Sequence, residues 1–294
     1  MSLRPTGSRI EMQTGKRSLK DIEKSLTKTY KKDILRPFAR AINDYRLIEE
    51  NDRIAVAVSG GKDSLILAKL FQEIRRHRKI DFELVFITMD PGFNRTNREL
   101  LEANATYLGI PLAIHDSRAF ASLEDMAPKS PCYLCARMRR GFLYRVAKEH
   151  GCNKLALAHH FDDVIETTLL NLFYGYEFAT MVPKITAKNF SDIELIRPLF
   201  YVRERDIERW LAYSGITAMD CACSVASERI GSKRRELKEL IRTMRRTNRD
   251  VDRSIFRAAH NVNLEAILGY KNLDEKKDFN ALYEERRMKH EHSE

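Results

Sequence analysis

One stretch constrains the fold more than any other, because in it an apolar strand runs without a linker into a glycine turn and a helix. Ile54, Val56 and Val58 form a β-branched run that reads as a buried strand. Ser59-Gly60-Gly61 ends it, and a helical pattern begins at once with Leu65, Leu67, Ala68, Leu70 and Phe71 on its apolar side. Two residues without a Cβ let the backbone turn tightly and come close to a ligand. The helix mouth that follows has unpaired N–H groups and a partial positive charge, and both favour anions. Lys62 adds a full charge, Ser59 and Ser64 add hydroxyls, and Asp63 adds a hard oxygen suited to Mg²⁺. The stretch therefore reads as a phosphate cradle with a metal handle. The spacing G-x-x-x-x-G-K-[ST] is absent, which excludes the loop that cleaves a γ-phosphate.

From this point the chain alternates. Strands are expected at 53–58, 83–89, 112–116 and 154–158, and helices at 63–78, 95–109, 134–150 and 162–174. The rhythm predicts an α/β fold, a parallel sheet with helices on both faces and ligands beyond the carboxyl ends of the strands. Three loops fall at that edge: the glycine turn, Met89-Asp90-Pro91-Gly92-Phe93, and His159-His160-Phe161-Asp162-Asp163. Before the core, residues 1–17 form a polar tail without periodicity, and 18–49 read as one or two basic amphipathic helices. Past 175 the pattern loosens, with a turn at 181–184, a short strand at 193–196 and a helix near 203–214. A very basic helix at 232–247 carries Lys233, Arg234, Arg235, Lys238, Arg242, Arg245 and Arg246, a face suited to RNA phosphates. Residues 274–294 read as an exposed helix or a frayed tail. The expected organisation is a basic N-terminal region over 1–49, a nucleotide domain over 50–215, and a cysteine loop with basic helices over 216–294.

Charge and cysteine usage narrow the function classes. The formal net charge of +10 suits a polyanionic partner, most simply a nucleic acid. No apolar run approaches the ~20 residues that span a bilayer, and no signal-peptide core opens the chain, so no membrane is expected and the cytoplasm is the expected compartment. Five cysteines, an odd count, argue for metal or redox use in a reducing compartment. Cys132-Tyr-Leu-Cys135 reads as half a zinc site, a redox pair, or part of an iron–sulfur site. The expected sheet gives no thioredoxin-like context for a redox pair. In Cys221-Ala-Cys223 the spacing makes it hard for both thiolates to hold one ion, so one is expected to ligate. Three thiolates on a [4Fe–4S] cluster would leave one iron open, whereas four closed ligands would make a structural zinc knot. Cys152, just before a strand, reads as a small buried hydrophobe. Asp162 and Asp163 at a helix start are positioned to cap it. Asp162 is also the expected partner of Asp63 in holding Mg²⁺ against a departing pyrophosphate, and His159 the expected phosphate contact.

The ordered set of motifs resembles the tRNA 2-thiocytidine synthetase family of PP-loop sulfurtransferases. The likeness runs over roughly residues 30–225. It rests on Ser59 to Ser64, Asp90 to Phe93, Cys132/Cys135 followed by Arg137, Arg139, Arg140 and Gly141, and His159 to Asp163. Asn171, Phe173, Tyr174 and Gly175, then Pro183-Lys184, Arg197-Pro-Leu199 and Glu204/Asp206, complete it. The resemblance implies a PP-loop domain of the adenine nucleotide hydrolase type. It also implies ATP, Mg²⁺ and a [4Fe–4S] cluster, with adenylation of the C2 oxygen of an anticodon-loop cytidine and its replacement by sulfur. Cluster ligation would fall to Cys132, Cys135 and Cys221, and nucleotide binding to Ser59, Gly60, Gly61, Lys62, Asp63, Ser64, Asp90 and His159. Lys62, Asp63, Asp162 and Arg139 would carry the chemistry, Arg139 as the basic residue beside cluster and nucleotide. The family's third cysteine opens a second C-x-x-C, while this chain has C-x-C, so Cys223 stands as an alternative ligand. Expected partners are tRNA and a sulfur donor, either a cysteine desulfurase or inorganic sulfide, and unpaired surface helices are compatible with a homodimer. Competing readings are thiolation of a tRNA uridine, a lysidine-type ligase, which would not need the cysteines, and an RNA-binding protein that only senses ATP.

Overall fold

The computed structural model describes residues 17–77, 79–117, 131–187, 190–219 and 229–291. It divides into a unit ending at Thr243 and a second unit beginning at Met244. In the first unit, α1 (Leu19–Thr27) and α2 (Arg36–Tyr45) are separated by a π-helical turn, Lys31–Leu35. Ser18 caps α1 by accepting from Asp21 N, and Pro37 enters α2 at its first turn, where a missing N–H costs nothing. Ile22, Leu26, Ile34 and Phe38 from these helices are fully buried.

The sheet follows. β1 (Asp52–Ala57), β2 (Phe82–Asp90), β3 (Leu112–Asp116) and β4 (Lys154–Ala156) alternate with α3 (Lys62–Arg76), α4 (Arg95–Tyr107) and α5 (Pro131–Glu149). α6 (Phe161–Tyr174) leads to β5 (Lys184–Ala187) and β6 (Phe190–Ile196), and α7 (Glu204–Ser214) follows them. The strand order is β3-β2-β1-β4-β6-β5, with every pairing parallel except β5 to β6. Chain order reverses between β1 and β4, and the crevice beyond their carboxyl ends is where a doubly wound sheet takes a ligand. Ile54, Ala55 and Val56 at its centre are fully buried.

The α/β architecture agrees with the sequence pattern, with two departures. The segment expected to be a turn at 181–184 leads directly into β5, an antiparallel edge strand beginning at Lys184. Ile185 and Thr186 there are exposed, so the strand has neither the continuous apolar run nor the alternation that marks a buried one. The second unit contains α9 (Val251–Ala258), a hairpin of β7 (Gly269–Lys271) and β8 (Lys276–Asp278), and α10 (Phe279–Glu291). α10 agrees with the expected terminal helix. The hairpin strands are three residues each and mostly exposed, which leaves no periodicity to read. Helix α8 (Arg229–Thr247) belongs to the first unit as far as Thr243, and its last four residues are counted with the second. Among the described residues no helix is long and apolar enough to cross a membrane.

Candidate active site

The glycine turn is built for its position. Gly60 takes φ +84°, and Gly61 is the N-cap of α3 with no side chain bonded across the helix mouth. Ser64 is buried; its Oγ accepts from Ser59 N at 3.1 Å and donates to the Gly61 carbonyl at 2.9 Å. That hydroxyl braces the turn, Ser64 N and Leu65 N donate to the Gly61 carbonyl, and the N–H groups of Lys62 and Asp63 are the helix-mouth donors left for a ligand. The adjacent cavity holds about 990 Å³ and is walled by Ser59, Gly61, Lys62, Asp63 and Ser64. Met89, Pro91 and Phe93 after β2, Arg139 and Leu143 of α5, His159 and Asp163 at the head of α6, and Thr217, Ala218 and Met219 contribute the other walls.

Charge is arranged closely here. Lys62 Nζ donates to Asp63 Oδ2 and to Glu204 Oε1, each at 3.1 Å. Burial works against its charge, but Asp63 and Glu204 together hold the ammonium above the ordinary lysine value. Asp63 Oδ1 is buried without a hydrogen-bond partner, 3.8 Å from His160 Nε2. His159 Nδ1 is likewise buried and unpartnered. Burial, reinforced by the Arg197 guanidinium, pulls His159 down to about 4, so it is neutral at pH 7 and lines the cavity as a dipole. His160 instead caps α6, accepting from Asp163 N at 3.4 Å while Asp163 Oδ2 accepts from His160 N at 2.9 Å.

Several expected site residues meet at this cavity, and others do not. Ser59, Gly61, Lys62, Asp63, Ser64, Arg139 and His159 all line it, with Gly60 inside the turn. Asp90 is not on the wall; its Oδ1 accepts from Gly92 N and Phe93 N, and its Oδ2 pairs with Arg98, which fixes the turn that brings Pro91 and Phe93 there. Asp162 is also off the wall, because its Oδ2 accepts from Glu204 N at 2.8 Å and so serves the start of α7. The neighbouring Asp163 faces the cavity in its place. The two carboxylates occupy adjacent positions at a helix start, and nothing in their sequence separates the capping one from the facing one. The side chains of Cys132 and Cys135, and all of Cys221 and Cys223, lie outside the described residues. Their chain neighbours do not: Arg139, four residues past Cys135 on α5, and Met219, two residues before Cys221, both line the cavity. Cys152 is buried, and burial pushes its thiol up, as a packed hydrophobe requires.

The donor set fits a magnesium ion. Asp63 and Asp163 both offer hard carboxylate oxygens to the cavity, one of Asp63's an orphaned buried atom, and Mg²⁺ commonly takes few protein ligands and completes its shell from water and phosphate. No group of three His, Cys, Asp or Glu side chains that would cage a metal occurs among the described residues.

Glu166 has a consequence for stability. It is 4% exposed, and burial pushes its carboxyl up to about 7, with the Lys238 charge opposing and Asp163 adding to the rise. Arg234 and Lys238 of α8, Asp163 of α6 and Glu204 of α7 are the charged groups that face it. A carboxyl with a folded-state pKa above its unfolded value takes up protons on folding, so stability falls as pH rises from about 4.5 to 7 and is flat beyond. Glu166→Gln should remove that loss. The variant should melt a few degrees above the parent at pH 8, from ~1–2 kcal/mol, and match it at pH 5. Parallel melting curves for the two proteins from pH 5 to 8 would contradict this.

Comparison with known proteins places the chain. The PP-loop domain family matches residues 20–222. A tRNA-cytidine(32) 2-sulfurtransferase of Geobacter metallireducens is 38% identical over 237 residues, covering 80% of this chain and 91% of the relative. That of Syntrophotalea carbinolica is 43% identical over 204 residues, covering 69% and 78%. Among solved structures, the U34-tRNA thiolase NcsA from Methanococcus maripaludis with its [4Fe-4S] cluster superposes at a TM-score of 0.66. At 22% identity, over 83% of this chain and 81% of that one, the likeness is one of fold.

Proposed function

The chain belongs to the PP-loop domain family and, within it, to the tRNA-cytidine 2-sulfurtransferases, and on that premise we propose that it uses ATP to thiolate a tRNA cytidine at C2. One observation carries the reading. The glycine turn, the helix that bears Cys132 and Cys135, and the segment that leads to Cys221 all contribute walls to a single cavity.

The C2 oxygen of a pyrimidine is a poor leaving group. In the proposed first step it attacks the α-phosphorus of ATP, a new P–O bond forms, and the bond to pyrophosphate breaks with its electron pair. The N–H groups at the mouth of α3 and the Lys62 ammonium stabilise charge on that leaving group. Asp63 and Asp163 would hold Mg²⁺, which would screen the carboxylates from the polyphosphate. Arg139, on the cysteine helix where that helix lines the cavity, offsets negative charge there. In the second step a C–S bond forms at C2 and the C–O bond breaks, releasing AMP. Cys132, Cys135 and Cys221, with Cys223 as the alternative third, would hold a [4Fe–4S] cluster, and such a cluster with three protein ligands supplies an open iron for sulfide. Exposed Arg235, Arg242 and Arg246 of α8 are available to the tRNA backbone. Relatives at 38% and 43% identity that act on cytidine favour that base over uridine.

The test is mass analysis of tRNA nucleosides from cells with and without the protein. The expected result is loss of 2-thiocytidine alone. Loss of 2-thiouridine would move the assignment to uridine, and loss of lysidine would replace thiolation by ligation. Cys132→Ala should abolish thiolation and the brown iron–sulfur absorbance while nucleotide affinity stays within about twofold. Retained thiolation would remove Cys132 from the mechanism.

A further inference from the structure

Helix α8 is not wholly a solvent-facing basic surface. Leu237 and Ile241 are buried, and Arg234 and Lys238 fall on the same helical stripe, at spacings of three and four residues. Their charged ends meet carboxylates, of which Asp163 lines the cavity and Glu204 and Glu166 lie behind its wall. Arg234 Nη1 lies 3.6 Å from Asp163 Oδ1. Lys238 Nζ donates to Glu204 Oε2 at 2.9 Å and lies 3.7 Å from Glu166. The other oxygen of Glu204 accepts from Lys62 at 3.1 Å, and Asp162 fixes the Glu204 backbone N–H. One carboxylate thus joins a cation outside the cavity to the cation inside it. Lys238 is beyond the residues matched by the family and is not on the cavity wall.

We propose that Lys238 is a positioning residue for ATP, acting through Glu204 on Lys62. The inference rests on the reading of the glycine-turn cavity as an ATP site. With Lys238 present, Glu204 divides its charge between two ammonium groups, and Lys62 can leave it for a phosphate. Without Lys238, Lys62 is the one described cation bonded to both Asp63 and Glu204, and they keep it from the phosphate. The opposed charges explain why Glu204 stays ionised. Burial alone would raise it, but the Lys238 hydrogen bond and the Lys62 and Lys238 charges bring it down to about 2.

The test is Lys238→Met in the full chain, with Mg-ATP affinity measured by calorimetry and steady-state pyrophosphate release measured alongside. Kd and KM for Mg-ATP should rise about tenfold, the scale of one hydrogen bond between charged groups. The kcat and the melting temperature should stay near the parent values, and Lys238→Arg should restore affinity. In a Glu204→Gln background the same replacement should change KM less than about twofold, because the relay is already cut. Unchanged affinity in Lys238→Met overturns the proposal. So does an equal KM effect in the Glu204→Gln background, which would mark simple through-space charge, or loss of folding that arginine does not restore. Parent protein that fails to bind Mg-ATP would instead overturn the nucleotide reading, and this one with it.

Discussion

Replacing Lys62 with methionine is expected to lower ATP-dependent pyrophosphate release by about two to three orders of magnitude, the usual cost of removing one preorganised charge from a developing anion. Lys62 is the first residue of α3, so its charge and the helix-mouth N–H groups act on the same phosphates. It is partly buried and held at the helix mouth by two carboxylates at 3.1 Å, and it reaches the phosphate by giving up its bond to Glu204. Because Asp63 and Glu204 hold its pKa above the ordinary value despite burial, the ammonium stays charged across the working range. A pH dependence of the parent enzyme between 6 and 8 should therefore not come from this group. The fold should survive, since Glu204 keeps its bond to Lys238 and Asp63 is partly exposed to water. Single-turnover pyrophosphate release with saturating ATP and tRNA is the measurement. A rate within tenfold of the parent would remove Lys62 from leaving-group stabilisation.

The nucleotide half of the site was legible in the sequence because its parts are contiguous. A β-branched strand, two glycines and a lysine at a helix start can each be read locally, and topology then brings the loops after β1, β2 and β4 to one edge. What escaped local reading depends on which way a side chain turns. Asp162 and Asp163 are chemically equal and adjacent, yet one caps α7 and the other faces the cavity, a choice made by the approach of the Glu204 backbone. Asp90 sits in a loop at the correct edge but spends its carboxylate on the N–H groups of its own turn. Glu204 meets Lys62 from 142 positions away in sequence and Arg234 meets Asp163 from 71. For α8 a signal was present. Leu237 and Ile241, four apart on one stripe of the helix, mark the packed face, and Arg234 and Lys238 on the same stripe are the cations that reach the carboxylates. The edge strand β5 and the hairpin of the second unit lack two buried faces, so no periodicity announces them.

Gly60→Val should damage both halves of the proposed reaction, because that glycine joins them. Its φ of +84° lies where a β-branched residue is a genuine outlier, at a cost of about 1–2 kcal/mol. A Cβ built there would sit 2.4 Å from Met219 Sδ and 3.2 Å from Leu101 Cδ1, so Met219 must move aside at a further cost of about 1–3 kcal/mol. The segment it would displace is held on the turn by the bond from Met219 N to the Gly60 carbonyl at 3.0 Å and by Asn104 Nδ2 donating to the Thr217 carbonyl at 2.8 Å. Two residues past Met219 comes Cys221, so pushing Met219 away loosens the chain that carries a proposed sulfur-site ligand. The expected result is a melting temperature lower by roughly 5–10 °C, ATP affinity reduced more than tenfold, and iron content that falls with it. A remote replacement that merely destabilised the fold by the same amount would leave ATP affinity intact below its melting temperature. Gly60→Val with parent-like nucleotide affinity and full iron would show that the turn and the cysteine segment are not mechanically joined.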